Sequence, residues 1–142
     1  MDPTLLIQAA LQARERCYAP YSRFGVGAAL LTQGGKVYTG CNIENAAYSP
    51  SICAERTALF SAVARGERDF QVMAIVGGPL GQQLEPGNYC APCGVCRQAL
   101  LEFCSPEEFL LYLATGPQDY QAYTLSQLVP LPFGPWQINP SP

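Results

Sequence analysis

The sequence predicts an α/β fold in which helices pack against one mixed β-sheet. Amphipathic helical segments and short apolar segments alternate in the order α-β-β-α-β-α-β, which is typical of such layered folds. The length of 142 residues suits one domain with a substantial core. The sequence shows neither internal repeats nor a linker long enough to separate domains. We therefore treat residues 1–142 as a single domain with a Pro-rich tail over about residues 136–142.

The first part of the chain predicts a helix followed by a hairpin. Asp2 is a suitable N-cap and Pro3 suits the first helical position, so a helix should run to about Cys17. Five apolar residues keep helical spacing on one face of it: Leu5, Leu6, Ala9, Ala10 and Ala13. The apolar segments 25–31 and 36–41 are joined by a Gln-Gly-Gly turn, which predicts a hairpin.

The second part of the chain alternates helix and strand. A helix should cover residues 52–64, because Gly66 then supplies a stop signal. The apolar run 72–76 predicts a buried strand. A third helix should begin near residue 93 and end before the Ser-Pro pair at 105–106, and residues 109–115 predict the last strand.

Composition excludes several classes of function. The chain has no histidine, which rules out Ser–His and Cys–His nucleophilic sites and His-ligated metals. Its net charge of −3 gives no electrostatic basis for binding nucleic acid or an anionic membrane. Charged residues make up 13% of the chain, about half the usual share. So little charged surface suggests burial between subunits.

Seven cysteines are present, at positions 17, 41, 53, 90, 93, 96 and 104. The start of the chain lacks the basic and apolar regions of a signal peptide, and no apolar run is long enough to span a bilayer. We therefore expect a cytoplasmic protein without membrane partners. In a reducing compartment, clustered cysteines indicate metal or redox chemistry rather than structural disulfides.

Three cysteines are placed to share a metal ion. Cys93 and Cys96 are three residues apart, so both thiols point the same way on the first turn of a helix, and Cys53 falls at the start of the preceding helix. The positive end of each helix favours the thiolate that a metal requires. Three protein ligands with an open fourth position are typical of catalytic zinc. Glu55 can approach that open position as a proton carrier, and Arg56 can offset the thiolate charge.

Two alternatives compete with an open zinc site. Cys90 and Cys93 enclose Ala-Pro, as in many redox pairs, and taken alone a Cys-x-x-Cys motif is as typical of redox chemistry as of metal binding. Cys90 could also be a fourth ligand, which would close the site and make it structural. We favour the open site because Pro92 extends the backbone before the helix and points Cys90 elsewhere.

Four segments of the chain match known sequence motifs. The Cys-Ala-Glu at 53–55 and the Pro-Cys-Gly-Val-Cys-Arg-Gln at 92–98 match the zinc deaminase signature. Together with Tyr-Ser-Arg-Phe-Gly-Val-Gly-Ala at 21–28 and Thr-Gly-Cys-Asn-Ile-Glu-Asn-Ala-Ala-Tyr at 39–48, they closely resemble the motifs of the small, homotetrameric, zinc-dependent cytidine deaminases. The resemblance extends through Leu-Pro-Phe-Gly-Pro at 131–135, and the tail beyond it is divergent. It implies a three-layer α-β-α fold with a central mixed sheet.

The resemblance also implies a metal, partners and residue roles. One Zn²⁺ per subunit would be bound by Cys53, Cys93 and Cys96. A homotetramer would complete its active sites across subunits, and the small-molecule partner would be a pyrimidine nucleoside. Glu55 would be the proton shuttle, and Arg56 would hydrogen-bond the ligand sulfurs.

Six further residues correspond to substrate contacts in that family. Asn42 and Glu44 match the contacts to the ribose hydroxyls, and the backbone N–H of Ala54 matches a contact to the pyrimidine carbonyl. The remaining three are aromatic: Phe24, Tyr48 and Phe133. Phe24 and Phe133 would pack on the nucleoside, Phe133 from a neighbouring subunit, and Tyr48 would act across the subunit boundary. For Tyr48, simple interface packing is an equally good explanation.

The implied activity is hydrolytic deamination of cytidine and 2′-deoxycytidine, a step of pyrimidine salvage. The alternatives are deamination of a cytosine nucleoside antibiotic of the blasticidin type and a non-catalytic, zinc-stabilised protein. The Asn-Ile-Glu-Asn segment at 42–45 and Phe133 favour cytidine over the antibiotic. Deamination within a polynucleotide is disfavoured, because the sequence offers no basic channel.

Overall fold

The computed structural model describes residues 1–139 and contains five strands and five helices within that range. The elements are α1 (Pro3–Arg14), β1 (Phe24–Thr32), β2 (Val37–Cys41), α2 (Ala54–Ala64), β3 (Phe70–Pro79), α3 (Gly94–Phe103), β4 (Leu110–Gly116), β5 (Asp119–Thr124), α4 (Leu125–Leu128) and α5 (Pro135–Ile138). The predicted tail begins within α5, and its residues 140–142 lie outside the described part. Within residues 1–139, no helix combines the length and apolar character needed to cross a membrane.

The five strands form one sheet in the order β2-β1-β3-β4-β5. The β3–β4 pair is parallel and the other pairs are antiparallel, so the sheet is mixed, as predicted. The crossover between the parallel strands is α3. The sequence analysis missed β5, because this edge strand is largely exposed and lacks a run of apolar residues. It also ended α1 too late, since residues 15–17 form turns.

Helices cover both faces of the sheet, which confirms the three-layer α-β-α architecture. On one face α1 packs through Leu6, Ile7 and Ala10. The other face carries α2 and α3, which pack on the opposite sides of β1, β3 and β4. The predicted apolar stripe of α1 was wrong at Leu5, which is exposed. The predicted stripe also left out Ile7, which is fully buried.

Helix α2 lies directly on β2, because Gly40 leaves no side chain between them. A Cβ atom at Gly40 would lie 2.5 Å from the Ala58 nitrogen and 2.6 Å from the Ala54 carbonyl oxygen. The segment that precedes α2 is also fixed by backbone pairing, since Ile43 and Ile52 exchange two N–H···O bonds of 2.9 and 3.0 Å. The first turn of α2 is therefore held rigidly at one end of the sheet.

Candidate metal centre and active site

The starts of α2 and α3 meet because of the strand directions. Because β1 runs antiparallel to both β2 and β3, the C-terminal ends of those two strands lie at the same end of the sheet. The segment after β2 leads to α2, and the segment after β3 leads to α3. Cys53 is the N-cap of α2, Cys93 is the N-cap of α3, and Cys96 lies in the first turn of α3. Their Sγ atoms all lie within 4.8 Å of one another.

This trio has the donor set and spacing of a zinc centre. The Cys53 and Cys93 Sγ atoms are 3.7 Å apart. Zn–S bonds of about 2.3 Å in tetrahedral geometry separate two sulfurs by about 3.8 Å. Within residues 1–139, no other group of three or more His, Cys, Asp or Glu side chains is close enough to share an ion. The three thiols therefore fit zinc with a fourth position left for a non-protein ligand.

The thiols differ in how readily they ionise. Hydrogen bonds from the Cys96 thiol, the Arg56 guanidinium and the Cys93 thiol lower the pKa of Cys53 to about 5, against the effect of burial. The pKa of Cys96 is raised, because its thiol hydrogen-bonds Cys53, is buried and faces the Glu55 charge. One thiolate thus forms readily without a metal, and the positive charge of zinc would stabilise the rest.

The structure places Cys90 outside the group of three thiols. Burial raises the pKa of Cys90 to about 11, with the Glu55 charge acting in the same direction. Without a metal the Cys90 thiol therefore stays protonated at neutral pH and is a poor nucleophile. Cys90 instead lines the cavity beside the metal centre.

Arg56 lies in the first turn of α2 and contacts the metal centre directly. Its Nη2 donates to the Cys53 Sγ at 3.4 Å. Its Nε is buried and has no hydrogen-bond partner among the described residues. The guanidinium is thus aimed at the sulfur cluster, where it offsets thiolate charge.

Glu55 is a buried carboxyl at the same helix start. It is 4% exposed, and burial raises its pKa to about 7. The Cys53 charge acts in the same direction, whereas the backbone N–H of Glu55 and the Arg56 charge oppose it. A carboxyl that titrates near neutral pH can both accept and donate a proton, which suits general acid–base catalysis.

A cavity of about 380 Å³ opens beside the three thiols. Its volume lies in the range of small-molecule sites. Twelve residues line it: Val26, Asn42, Glu44, Ser51, Ile52, Cys53, Ala54, Glu55, Arg56, Cys90, Ala91 and Cys93. The cavity thus joins two of the three proposed metal ligands, Cys53 and Cys93, to the buried carboxyl and to the polar residues Asn42 and Glu44. Four lining residues were not predicted from the sequence, because they carry no distinctive chemical signal: Val26, Ser51, Ile52 and Ala91.

Asn42 and Glu44 line the cavity and also hold its rim together. The Asn42 Oδ1 accepts from the Val26 N–H at 2.8 Å, and its Nδ2 donates to the Phe24 carbonyl at 2.8 Å. The Glu44 carboxylate accepts from the backbone N–H groups of Tyr21 and Ser22 at 3.0 and 3.1 Å, and from the Ser22 hydroxyl. Each side chain keeps further hydrogen-bonding capacity for a ligand.

The remaining predicted substrate contacts divide into two groups. Ala54 is buried in the cavity wall at the first position of α2, where a backbone N–H has no intrahelical acceptor. Phe24, Tyr48 and Phe133 are exposed and are not among the lining residues. Tyr48 stacks edge-on against Tyr21 at 6.2 Å, beside a second cavity that shares Glu44. Within one chain, the structure does not bring the three aromatic residues to the metal centre.

The fold and the site together define a zinc-binding class with a proton-carrying carboxylate beside the metal. A family model described as the cytidine and deoxycytidylate deaminase zinc-binding region matches residues 2–112. The chain therefore belongs to this family, as its motifs predicted, and zinc is the metal of that family.

Known relatives agree with this assignment. A cytidine deaminase of Halalkalibacterium halodurans is 45% identical over 139 residues, covering 98% of this chain and 99% of the relative. A blasticidin-S deaminase of Bacillus cereus is 30% identical over 109 residues, covering 76% of each chain. The crystal structure of cytidine deaminase from Burkholderia pseudomallei superposes with a TM-score of 0.79 at 48% identity, covering 91% of this chain and 97% of that one.

Proposed function

We propose that this chain catalyses the zinc-dependent hydrolytic deamination of cytidine and 2′-deoxycytidine to uridine and 2′-deoxyuridine, with release of ammonia, in pyrimidine salvage. The observation that carries the proposal is the position of Glu55. Its buried carboxyl, with a pKa of about 7, lines the same cavity as Cys53 and Cys93, two of the three proposed ligands. Full-length similarity to a cytidine deaminase supports the substrate.

Glu55 is the proton carrier in this mechanism. Cys53, Cys93 and Cys96 would hold zinc, which would supply the Lewis acidity that makes water a nucleophile near neutral pH. A Glu55 carboxylate oxygen takes one proton from the attacking water and delivers it to ring N3, while the water oxygen adds to C4. The same carboxylate then takes the proton of the new C4 hydroxyl and passes it to the amino group. The C4–N bond breaks, the C4 carbonyl forms and ammonia leaves.

The charge around the metal has to be balanced for this chemistry. Three thiolates and Zn²⁺ sum to −1, which weakens the acidifying effect of the metal on water. The Arg56 guanidinium, 3.4 Å from the Cys53 Sγ, withdraws part of that charge. The N-termini of α2 and α3 act in the same sense, because both point at the sulfur cluster.

Substrate contacts follow from the cavity wall. Asn42 and Glu44 would bind the ribose hydroxyls, and the Ala54 N–H would bind the pyrimidine carbonyl. All three residues line the cavity, which supports these roles.

The aromatic contacts would come from assembly into a homotetramer. Tyr48 and Phe133 are 70% and 56% exposed, and Phe24 also faces outward. Such exposed aromatic residues suit contacts between subunits. Sedimentation would show a tetramer if sites are completed across subunits, whereas a fully active monomer would contradict this assembly. The free thiols of the described chain suit a reducing, cytoplasmic location.

The substrate test compares cytidine, 2′-deoxycytidine and blasticidin S on the zinc-loaded full chain. The antibiotic is the second candidate, because one relative is a blasticidin-S deaminase. Since Asn42 and Glu44 provide ribose contacts, we expect kcat/KM for both nucleosides to exceed that for the antibiotic by about tenfold or more. A larger kcat/KM for blasticidin S would overturn the assignment of the substrate.

A further inference from the structure

Residues 80–93 connect β3 to α3 without regular secondary structure. This segment is long for a connection inside a compact domain, and such connections are usually functional. It brings Cys90 and Ala91 to the cavity wall and ends at the proposed metal ligand Cys93. Its position therefore affects both the substrate cavity and the metal centre.

At the start of this segment, the Leu80 N–H donates to the Arg23 carbonyl at 2.8 Å. The hydrogen bonds that join the following residues, 81–92, to other parts of the described chain all involve the side chain of Arg97 or Asp119. Arg97 donates from Nε to the Pro92 carbonyl at 2.8 Å. The Asp119 carboxylate accepts from the Gly87 N–H at 2.8 Å and from the Tyr89 hydroxyl at 2.6 Å. Asp119 is the first residue of β5, so the segment is anchored to the edge strand of the sheet.

The Asp119 anchor is built as a charged acceptor with several donors. Its carboxylate also accepts from the Thr115 hydroxyl on β4. Hydrogen bonds from Thr115, Tyr89 and the Gly87 N–H lower the pKa of Asp119, so it stays ionised at neutral pH. Hydrogen bonds to an ionised acceptor are stronger than neutral ones.

Packing of Tyr89 and Cys90 also holds the segment in place. The Tyr89 ring packs against the core beneath α2 and α3. The next residue, Cys90, lies over Gly77 of β3, where a Cβ would come within 2.8 Å of the Cys90 Sγ. The packed Tyr89 ring, its bond to the Asp119 carboxylate and the close contact of Cys90 with Gly77 together fix the backbone that continues to Ala91 and Cys93.

We propose that Asp119 and Tyr89 are positioning residues, which hold the cavity wall and Cys93 in place for metal and substrate binding. The proposal rests on the proposed zinc centre. A ligand carried by a loose segment loses more freedom when it binds a metal, so its metal is released faster. Outer partners of metal sites are typically worth 10–100-fold in affinity or activity. This anchor acts from one step further away, so we expect a smaller effect.

The test compares Tyr89→Phe with Thr115→Val. The first removes the hydroxyl that donates to Asp119 from the segment and keeps the Gly87 bond. The second removes a hydrogen bond to the same carboxylate from β4 and keeps both bonds between the segment and Asp119. The measurements are the rate of zinc release to an excess of chelator, the melting temperature, and kcat and KM for cytidine. We expect Tyr89→Phe to release zinc about 3–10-fold faster and to raise KM more than it lowers kcat.

The rates of zinc release in the control variants distinguish an anchor of the metal site from a merely structural bond. Thr115→Val should keep the wild-type rate of zinc release even if its melting temperature falls as far. Asp119→Asn, which keeps one of the two acceptor oxygens, should lie between wild type and Asp119→Ala. Equal zinc release in Tyr89→Phe and Thr115→Val would overturn the proposal, because the anchor would then be merely structural. Zinc release does not require turnover, so failure to deaminate cytidine would be distinguishable from failure of the anchor.

Discussion

The starts of α2 and α3 use the same geometry for different chemistry. Residues 53–56 read Cys-Ala-Glu-Arg and residues 93–96 read Cys-Gly-Val-Cys. Each helix begins after an extended cysteine N-cap whose thiol makes no capping hydrogen bond. Because a thiol is a weak hydrogen-bond acceptor, a capping bond to it would stabilise the helix little. Without such a bond, both sulfurs remain available for a metal.

The third and fourth positions distinguish the two helix starts. Glu55 is 4% exposed in the cavity, whereas the equivalent Val95 is 60% exposed. At the next position, Arg56 donates to the Cys53 sulfur and Cys96 supplies a sulfur of its own. The start of α2 thus provides proton and charge chemistry, and the start of α3 provides the second and third sulfurs.

The two helix starts are also anchored differently. The first turn of α2 is fixed by backbone contact at Gly40 and by the Ile43–Ile52 pairing. The segment before α3 depends on side chains, among them Asp119. Backbone contacts thus fix the start of α2, whereas side chains distant in the sequence hold the segment before α3.

The largest expected effect comes from removing a ligand from either helix. Cys53→Ala and Cys93→Ala should each lose bound zinc and activity, because two thiols cannot hold the metal as three do. The matched control is Cys90→Ala, which removes a cavity thiol outside the group and should keep about one zinc per chain. Metal analysis after gel filtration measures this. Loss of zinc in Cys90→Ala would show a closed, four-thiol site.

Glu55→Gln should separate metal binding from catalysis. The variant should keep zinc but lose about 10²–10⁴-fold in kcat, because the amide cannot carry protons. Val95→Gln is the control at the equivalent position of α3 and should stay near wild type, since Val95 is exposed. Ammonia release by zinc-loaded variants provides the measurement. Undiminished turnover in zinc-loaded Glu55→Gln would contradict the role of this residue.

Burial of Glu55 also predicts a pH-dependent stability of the metal-free protein. Its pKa is raised from 4.5 to about 7 in the folded state, so the folded state binds the proton more tightly and wild type loses stability as pH rises through this window. At pH 8, metal-free Glu55→Gln should be more stable than wild type by roughly 3 kcal/mol, and the difference should vanish below about pH 4.5. Urea unfolding across this range measures it. A constant difference would mean that the carboxyl does not titrate there.

The smallest expected effects come from glycine substitutions beside α2 and at the start of α3, which compare how tightly the two helix starts are packed. Gly40→Ala should destabilise the protein by about 1–3 kcal/mol, because the new methyl group meets the backbone of α2. Gly94→Ala, at the start of α3, meets nothing within 4 Å and should stabilise by about 0.4–1 kcal/mol. Thermal unfolding of both variants tests the contrast. Equal destabilisation would show that both helix starts are packed equally tightly.

The sequence was most informative where the chemistry is local. The role proposed for Glu55 depends on its distance along the helix from Cys53, and that of Cys96 on its distance from Cys93. Such short spacings are visible in the sequence itself. Strand β5 was missed because an exposed edge strand needs no apolar run. The Tyr89–Asp119 bond joins residues 30 positions apart, and nothing in the local sequence indicates it. The rim bonds of Asn42 likewise depend on how β1 and β2 pair.

The central claim is that three thiols and Glu55 form a zinc-dependent deaminase centre. The most direct test measures ammonia release from cytidine by one preparation before zinc removal, after removal and after zinc is restored, with metal content determined each time. We predict about one zinc per chain, loss of activity on removal and recovery on restoration. Undiminished release without zinc, or no release from the zinc-loaded and correctly assembled protein, would contradict the account.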